Sequence, residues 1–125
     1  MAKNANRLVV RSADETVNMI RRGFLHWVHL DKRRPALVIS PDYRNQWASD
    51  LIVLPCSSRM RVGPTLVALK KGEAGLLSPS VIHCEQPITL RKAEVEERAL
   101  GESLSPRRLA EAERALLRAV GVLLE

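Results

Sequence analysis

Hydrophobic positions fall into short runs broken by turn residues, until one long helical stripe closes the chain. From Phe24 to Leu30 the residues are densely apolar, with His26 and His29 interspersed, and Pro35 to Ser40 (Pro-Ala-Leu-Val-Ile-Ser) is a second β-type run. Only Asp31 to Arg34 separates the two. That spacing predicts a tight antiparallel connection with two arginines at the mouth of the second strand. Pro41 to Trp47 reads as a turn-rich stretch. Leu51 to Cys56 is a third strand, apolar on both faces and therefore central. A polar, basic loop from Ser57 to Pro64 leads to a fourth strand at Thr65 to Leu69, and Ser80 to Cys84 is a fifth.

Two helices are predicted. Ser12 and Glu15 match a capping box, with Gly23 as a stop, giving a short helix from Ala13 to Arg21. Near the C-terminus Ser105 is an N-cap followed by Pro106 at the first helical position, and Leu109, Ala112, Leu116, Val120 and Leu123 form one stripe. Its opposite face, with Arg107, Glu111, Arg114 and Arg118, reads as solvated surface. Five short strands and a terminal amphipathic helix predict a small β-rich α+β domain: a bent antiparallel sheet or partly open barrel with the helix packed on it.

Length and composition narrow this further. A chain of 125 residues with 46% hydrophobic content is sized for one core, without internal repeats or low-complexity tracts. The longest apolar runs are far short of the roughly 20 residues that span a bilayer, and the first 20 residues lack the apolar core of a secretory signal, so a cytoplasmic protein is expected. Cys56 and Cys84 have no second ligand at metal spacing; His83 is adjacent to Cys84, and neighbours on a strand face opposite ways. Reduced, buried thiols are expected, with no metal and no cofactor. Lysine and arginine number 20 against 14 aspartates and glutamates, and the excess lies entirely before residue 101. A positive field of this kind suits an anionic partner, either nucleic acid or an acidic protein.

Four blocks then become familiar in their order: Arg21 to Gly23, Arg33 to Ser40, Ile52 to Arg59, and Pro79 to Gln86 ahead of Ile88 to Leu90. Gly63-Pro64-Thr65 and the Leu104-Ser105-Pro106 helix start agree with them. Together they resemble the MazF/PemK family of type II toxin–antitoxin endoribonucleases, over roughly Ile20 to Leu124. The resemblance implies residues 20–125 as one toxin domain of the SH3-like barrel type shared with the CcdB gyrase poisons, preceded by an N-terminal extension over residues 1–19. It also implies a homodimer with single-stranded RNA lying across the subunit boundary. The reaction it implies is metal-independent: the 2′-hydroxyl attacks the adjacent phosphate, leaving 2′,3′-cyclic phosphate and 5′-hydroxyl ends, and translation and growth are inhibited. A cognate antitoxin would occupy the basic groove with a disordered acidic tail.

The family's catalytic arginine maps onto Arg34, whose guanidinium is suited to a phosphate gaining charge in the transition state. Ser57 falls where the family has threonine and keeps the hydroxyl donor. Glu85 and Gln86 match the family's Glu-Gln pair near the groove, while Arg33, Arg59 and Arg61 are candidates for holding the RNA backbone. Trp47, in a polar stretch, is the better base-stacking candidate, and Trp27 is assigned to the core.

Departures are equally informative. Family members carry a long loop between the first two strands, often with a Gly-Ser-Glu-Gln run that covers RNA and in some supplies an acid or base; here it is essentially deleted, and the general base is not identified. Phe24 replaces the usual aspartate. Histidine exchanges protons near neutrality. Strand alternation puts His26 and His29 on opposite faces, and His29 lies nearer Arg34, which makes it the expected proton-transfer residue; His83, beside Glu85, is a second candidate. The competing reading keeps the fold without ribonuclease activity, as a protein-targeting toxin of the gyrase-poison kind or a degenerate module that only binds RNA or antitoxin. The C-terminal Gly121 to Glu125 lacks the aromatic tip that gyrase poisons show.

Overall fold

The computed structural model describes residues 19–124. The elements in chain order are β1 (Leu25–His29), β2 (Arg33–Val38), helix α1 (Asp42–Trp47), β3 (Asp50–Ser57), β4 (Leu66–Leu69), β5 (Ser80–His83), β6 (Ile88–Arg91), β7 (Val95–Ala99) and helix α2 (Pro106–Ala119), with short 3-10 turns at Glu73–Gly75 and Lys92–Glu94. The strands form one antiparallel sheet ordered β4-β5-β3-β2-β1-β7, with β6 also paired to β3. The sheet is open: β4 and β7 end it without pairing to each other.

β3 is central, as its two-sided apolarity predicts. One edge pairs with β2, and the other is shared, with Asp50 to Val53 paired to β6 and Cys56 and Ser57 paired to β5. Alternation along the strands sends buried residues into two clusters on opposite sheet faces. Leu25, Leu37, Leu54, Cys56 and Ile82 pack with Ala112 and Ala115 of α2. Val28, Ala36, Val38, Leu51, Val53, Leu90 and Val95 form the second cluster.

Three expectations need correction. Among the described residues there are seven strands instead of five. β6 and β7 escape the periodicity because β6 (Ile-Thr-Leu-Arg) buries only Leu90, and β7 (Val-Glu-Glu-Arg-Ala) buries only its two ends. The stretch read as a turn contains α1, which starts behind Pro41 in extended conformation and is anchored by the buried Asn45, whose Nδ2 donates to the Ser40 carbonyl at 2.9 Å. The C-terminal helix begins as predicted, Ser105 Oγ accepting from the Arg108 amide at 3.2 Å, but ends at Ala119, so Val120 and Leu123 leave the stripe and are exposed. Gly121, at φ 88°, makes the stop: its amide donates to Arg118, and that of Val122 to Leu117. This is the left-handed glycine termination of helices. The helix expected at Ala13 to Arg21 lies outside the described residues except for 19–21, which are not helical.

Ion pairs and a close backbone approach link α2 to the segment around Gly75 and to the residues after β7. Arg108 donates to Glu73 through Nε (2.9 Å) and Nη2 (3.2 Å), and to Glu111 through Nη1 (2.9 Å). These bonds hold the Glu73 carboxyl below the usual carboxylate range. Two residues on, Gly75 lies against the backbone after β7: a Cβ there, at φ +88°, would stand 2.3 Å from the Leu100 carbonyl oxygen. Only glycine fits this approach, and it sets the segment after Gly75 beside Leu100.

Candidate functional site

At the hairpin end of the sheet a groove of about 900 Å³ opens between the β1–β2 turn and the segment after Gly75, with Leu30, Leu76, Leu77 and Leu100 in its walls. The β1–β2 connection is a three-residue turn, 30–32, between paired His29 and Arg33. Pairing of Ala36 with Pro55 fixes the β2–β3 register, and continuing it two residues sets Arg34 opposite Ser57. Ser57 in turn pairs with Val81 of β5, so His83, two residues along, shares its face. Arg34, Ser57 and His83 therefore lie on one side of the sheet, continuing the row of Ala36, Val53 and Val38 into the groove, which all three line.

A chain of hydrogen bonds runs through this face. Ser57 Oγ is 2.9 Å from His83 Nε2, and His83 Nδ1 is 3.3 Å from Glu85 Oε2. The carboxylate only accepts, so Nδ1 carries the hydrogen and Nε2 accepts from the serine hydroxyl. The His83 side chain is 11% exposed, enough to meet the groove while its position is fixed. Arg34 donates to Asp31 through Nε (3.2 Å) and Nη2 (3.0 Å), a bidentate pairing that leaves the guanidinium partly exposed at the groove wall. The Asp31 carboxyl is held below its ordinary range by these bonds.

A second cluster sits beside the groove. Arg33 donates to Glu96 through Nε (2.6 Å) and Nη2 (2.9 Å) while stacking over the Trp27 ring, 4.2 Å from its centroid. His29 Nε2 approaches the same carboxylate at 3.0 Å, and the buried His26 donates from Nδ1 to the Glu96 carbonyl at 2.7 Å. Glu96 thus joins three residues of the β1–β2 hairpin, and Arg33 first holds its carboxyl below the usual range.

Of the residues nominated from sequence, Arg33, Arg34, Ser57, Arg59 and Gln86 line one groove. His29, Arg61, Glu85 and Trp47 do not. His29 is turned to Glu96, Glu85 stands behind His83, and Arg61 is exposed in its loop. Trp47, 80% exposed at the end of α1, is outside the groove, and Trp27 is half-buried in its wall instead of in the core. The pairing of strands explains the exchange: Trp27 stands opposite Pro35, beside Arg34, whereas α1 leads away from the hairpin end. Glu96 and Asp31 were missed. Asp31, three residues before Arg34, is readable as a hairpin ion pair, but nothing in the sequence joins Glu96 to Arg33 across 63 residues.

Cys56 and Cys84 are free and buried, and burial pushes both thiols up to about 12. Among the described residues no group of three metal-ligating side chains is assembled, and no helix is long and apolar enough to cross a membrane.

The architecture has clear relatives. An endoribonuclease from mycobacterial species superposes with a TM-score of 0.74 at 25% identity, covering 89% of this chain and 100% of that one. The MazE–MazF complex of Deinococcus radiodurans matches with a TM-score of 0.69 at 26% identity, over 84% and 98%. A mycobacterial endoribonuclease in complex with its cognate antitoxin shares the fold, with a TM-score of 0.74 at 24% identity over 85% and 99%. Comparison with curated proteins gives no match. The family model of the PemK-like, MazF-like toxins of type II toxin–antitoxin systems matches residues 21–120, and the chain belongs to that family.

Proposed function

We propose that this toxin is a metal-independent, sequence-selective endoribonuclease that cuts single-stranded RNA, messenger RNA first among its targets, in the cytoplasm. The observation that carries the reading is the convergence of Arg34 and Ser57 on one groove that also holds Arg33 and Arg59. Arg34 takes a phosphate oxygen in place of Asp31, since the planar fork that binds a carboxylate also fits a phosphate. Its fixed charge then stabilises the phosphorane-like transition state as the 2′-oxygen attacks and the 5′-oxygen leaves. Arg59 holds a flanking phosphate, and Trp27, pinned by Arg33, offers a face for an unpaired base.

The protein acts as a homodimer, and its partner is an acidic antitoxin whose tail competes with RNA for the arginines of the groove. Structural relatives are antitoxin complexes, which supports this assignment. The decisive experiment is incubation of the protein and its Arg34→Ala variant with a long unstructured RNA in EDTA. Wild-type cleavage at a recurring short motif, leaving 5′-hydroxyl ends, with a loss of about 100- to 1,000-fold in the variant, is the expected result. Intact RNA with both proteins would move the weight to a binding or protein-targeting toxin.

A further inference from the structure

We infer that His83, oriented by Glu85 and reached through the Ser57 hydroxyl, is the residue that takes the 2′-hydroxyl proton during RNA cleavage; the inference rests on the ribonuclease reading above. The groove offers few groups that can take a proton. Its lining includes one carboxylate and one imidazole, Asp31 and His83. Asp31 is bidentate to Arg34, which makes it a weak base, and the Cys56 thiol stays protonated at neutral pH. His29 faces Glu96 outside the groove, and His26 is buried with its Nδ1 already bonded to a backbone carbonyl.

His83 has what the others lack. Its ring is held at both nitrogens, by Ser57 at 2.9 Å and Glu85 at 3.3 Å, so tautomer and orientation are set before substrate arrives. Extending the Ala36–Pro55 register by two residues sets Ser57 opposite Arg34, and both line the groove, so a phosphate seated on Arg34 brings the adjoining ribose to the serine hydroxyl. In the step, the 2′-O–H proton passes to Ser57 Oγ as the Ser57 proton passes to His83 Nε2. The 2′-oxygen forms its bond to phosphorus while the bond to the 5′-oxygen breaks. The 5′-oxygen takes a proton from water, and the imidazolium, paired with Glu85, returns its proton to solvent. No net water is consumed, and the products are the cyclic phosphate and the 5′-hydroxyl. Glu85, in the loop after β5, contacts the ring, and Asp31 and Lys32 from the β1–β2 turn, Arg33 and Arg34 from β2 and Arg59 from the loop after β3 share its groove; β4 places the apolar Leu66 opposite it.

The test is single-turnover cleavage of a defined RNA by wild type, His83→Gln, His83→Ala and His29→Ala across pH 5 to 9, with binding of the all-2′-deoxy oligonucleotide as the second readout. The expected result is a loss of about 100-fold in His83→Gln with oligonucleotide binding unchanged within about twofold. The fall in wild-type rate toward acid pH should vanish in that variant, and added imidazole should restore part of the His83→Ala rate. Cleavage by His83→Gln at the wild-type rate and pH profile would overturn the proposal alone. Parallel loss of oligonucleotide binding would mark the residue as structural and overturn it too. If the wild type leaves the RNA intact while binding it, the ribonuclease reading fails and takes this proposal with it.

Discussion

Among the described residues two histidine–glutamate pairs lie near the hairpin end, and they have opposite settings. His83 and Glu85 belong to β5 and the loop after it, the imidazole nearly enclosed and facing the groove. His29 and Glu96 join β1 to β7 on the outer surface, where the His29 side chain is 56% exposed and the carboxylate already answers to Arg33. Distances alone do not separate them. What separates them is the competition each carboxylate faces and the face onto which its histidine opens: Glu85 orients a ring, whereas Glu96 fastens an arginine against Trp27. A histidine beside an acid becomes chemically useful through its third neighbour, which is a serine hydroxyl in one pair and bulk solvent in the other.

The sharpest way to break this contrast is to remove that neighbour. Ser57→Ala is expected to lower cleavage by about 100-fold while leaving binding of a 2′-deoxy oligonucleotide intact; full activity would show that the hydroxyl is dispensable. Next comes the third histidine. His26 is buried, its Nε2 has no partner among the described residues, and burial holds it below its ordinary value of 6.5. The unfolded chain therefore binds the proton that the folded chain refuses, so stability falls as pH drops below 6.5, by at most about 1.4 kcal/mol per pH unit. Urea unfolding of the protein and a His26→Phe variant between pH 7.5 and 5.5 reads this slope, and equal slopes would contradict it. A smaller effect is expected from Glu96→Gln. Freeing Arg33 for phosphate should tighten RNA binding about threefold and steepen its salt dependence by up to one counterion, measured by fluorescence anisotropy from 50 to 300 mM salt. The smallest is His29→Ala, which should change cleavage by less than about twofold.

Much of the frame was legible because it is local. The apolar run of β3, the four residues between Leu30 and Pro35, and Ser105-Pro106 each act within a few positions, and each produced its element. Arg34 and Ser57 come from a resemblance in ordered blocks, and the pairing of β2 with β3 brings both to one groove. What stayed hidden depends on pairings between distant segments. Ser57 meets His83 only because β3 pairs with β5, 26 residues away, and Glu96 reaches Arg33 only because β7 pairs with β1. A β7 with charged middle positions gives too little periodicity to reveal its pairing with β1, and no local pattern shows which strand β5 joins. Trp27 was misplaced for a related reason: a tryptophan on a first strand usually packs inward, but here its neighbour across the ladder is Pro35, at the groove wall.

The brevity of the β1–β2 turn also bears on time. A loop that folds over a substrate must open before exchange, and such motions take microseconds to milliseconds. Before RNA arrives, residues 30–32 are tied down by the Leu30 amide on the Lys32 carbonyl and by Asp31 on Arg34, and the three-residue turn is too short to fold over a substrate. On the proposed ribonuclease reading, arrival of RNA at Arg34 would be governed by diffusion in the field of the surrounding arginines. The association rate should fall smoothly with ionic strength, without the plateau that a slow gate imposes at high RNA concentration.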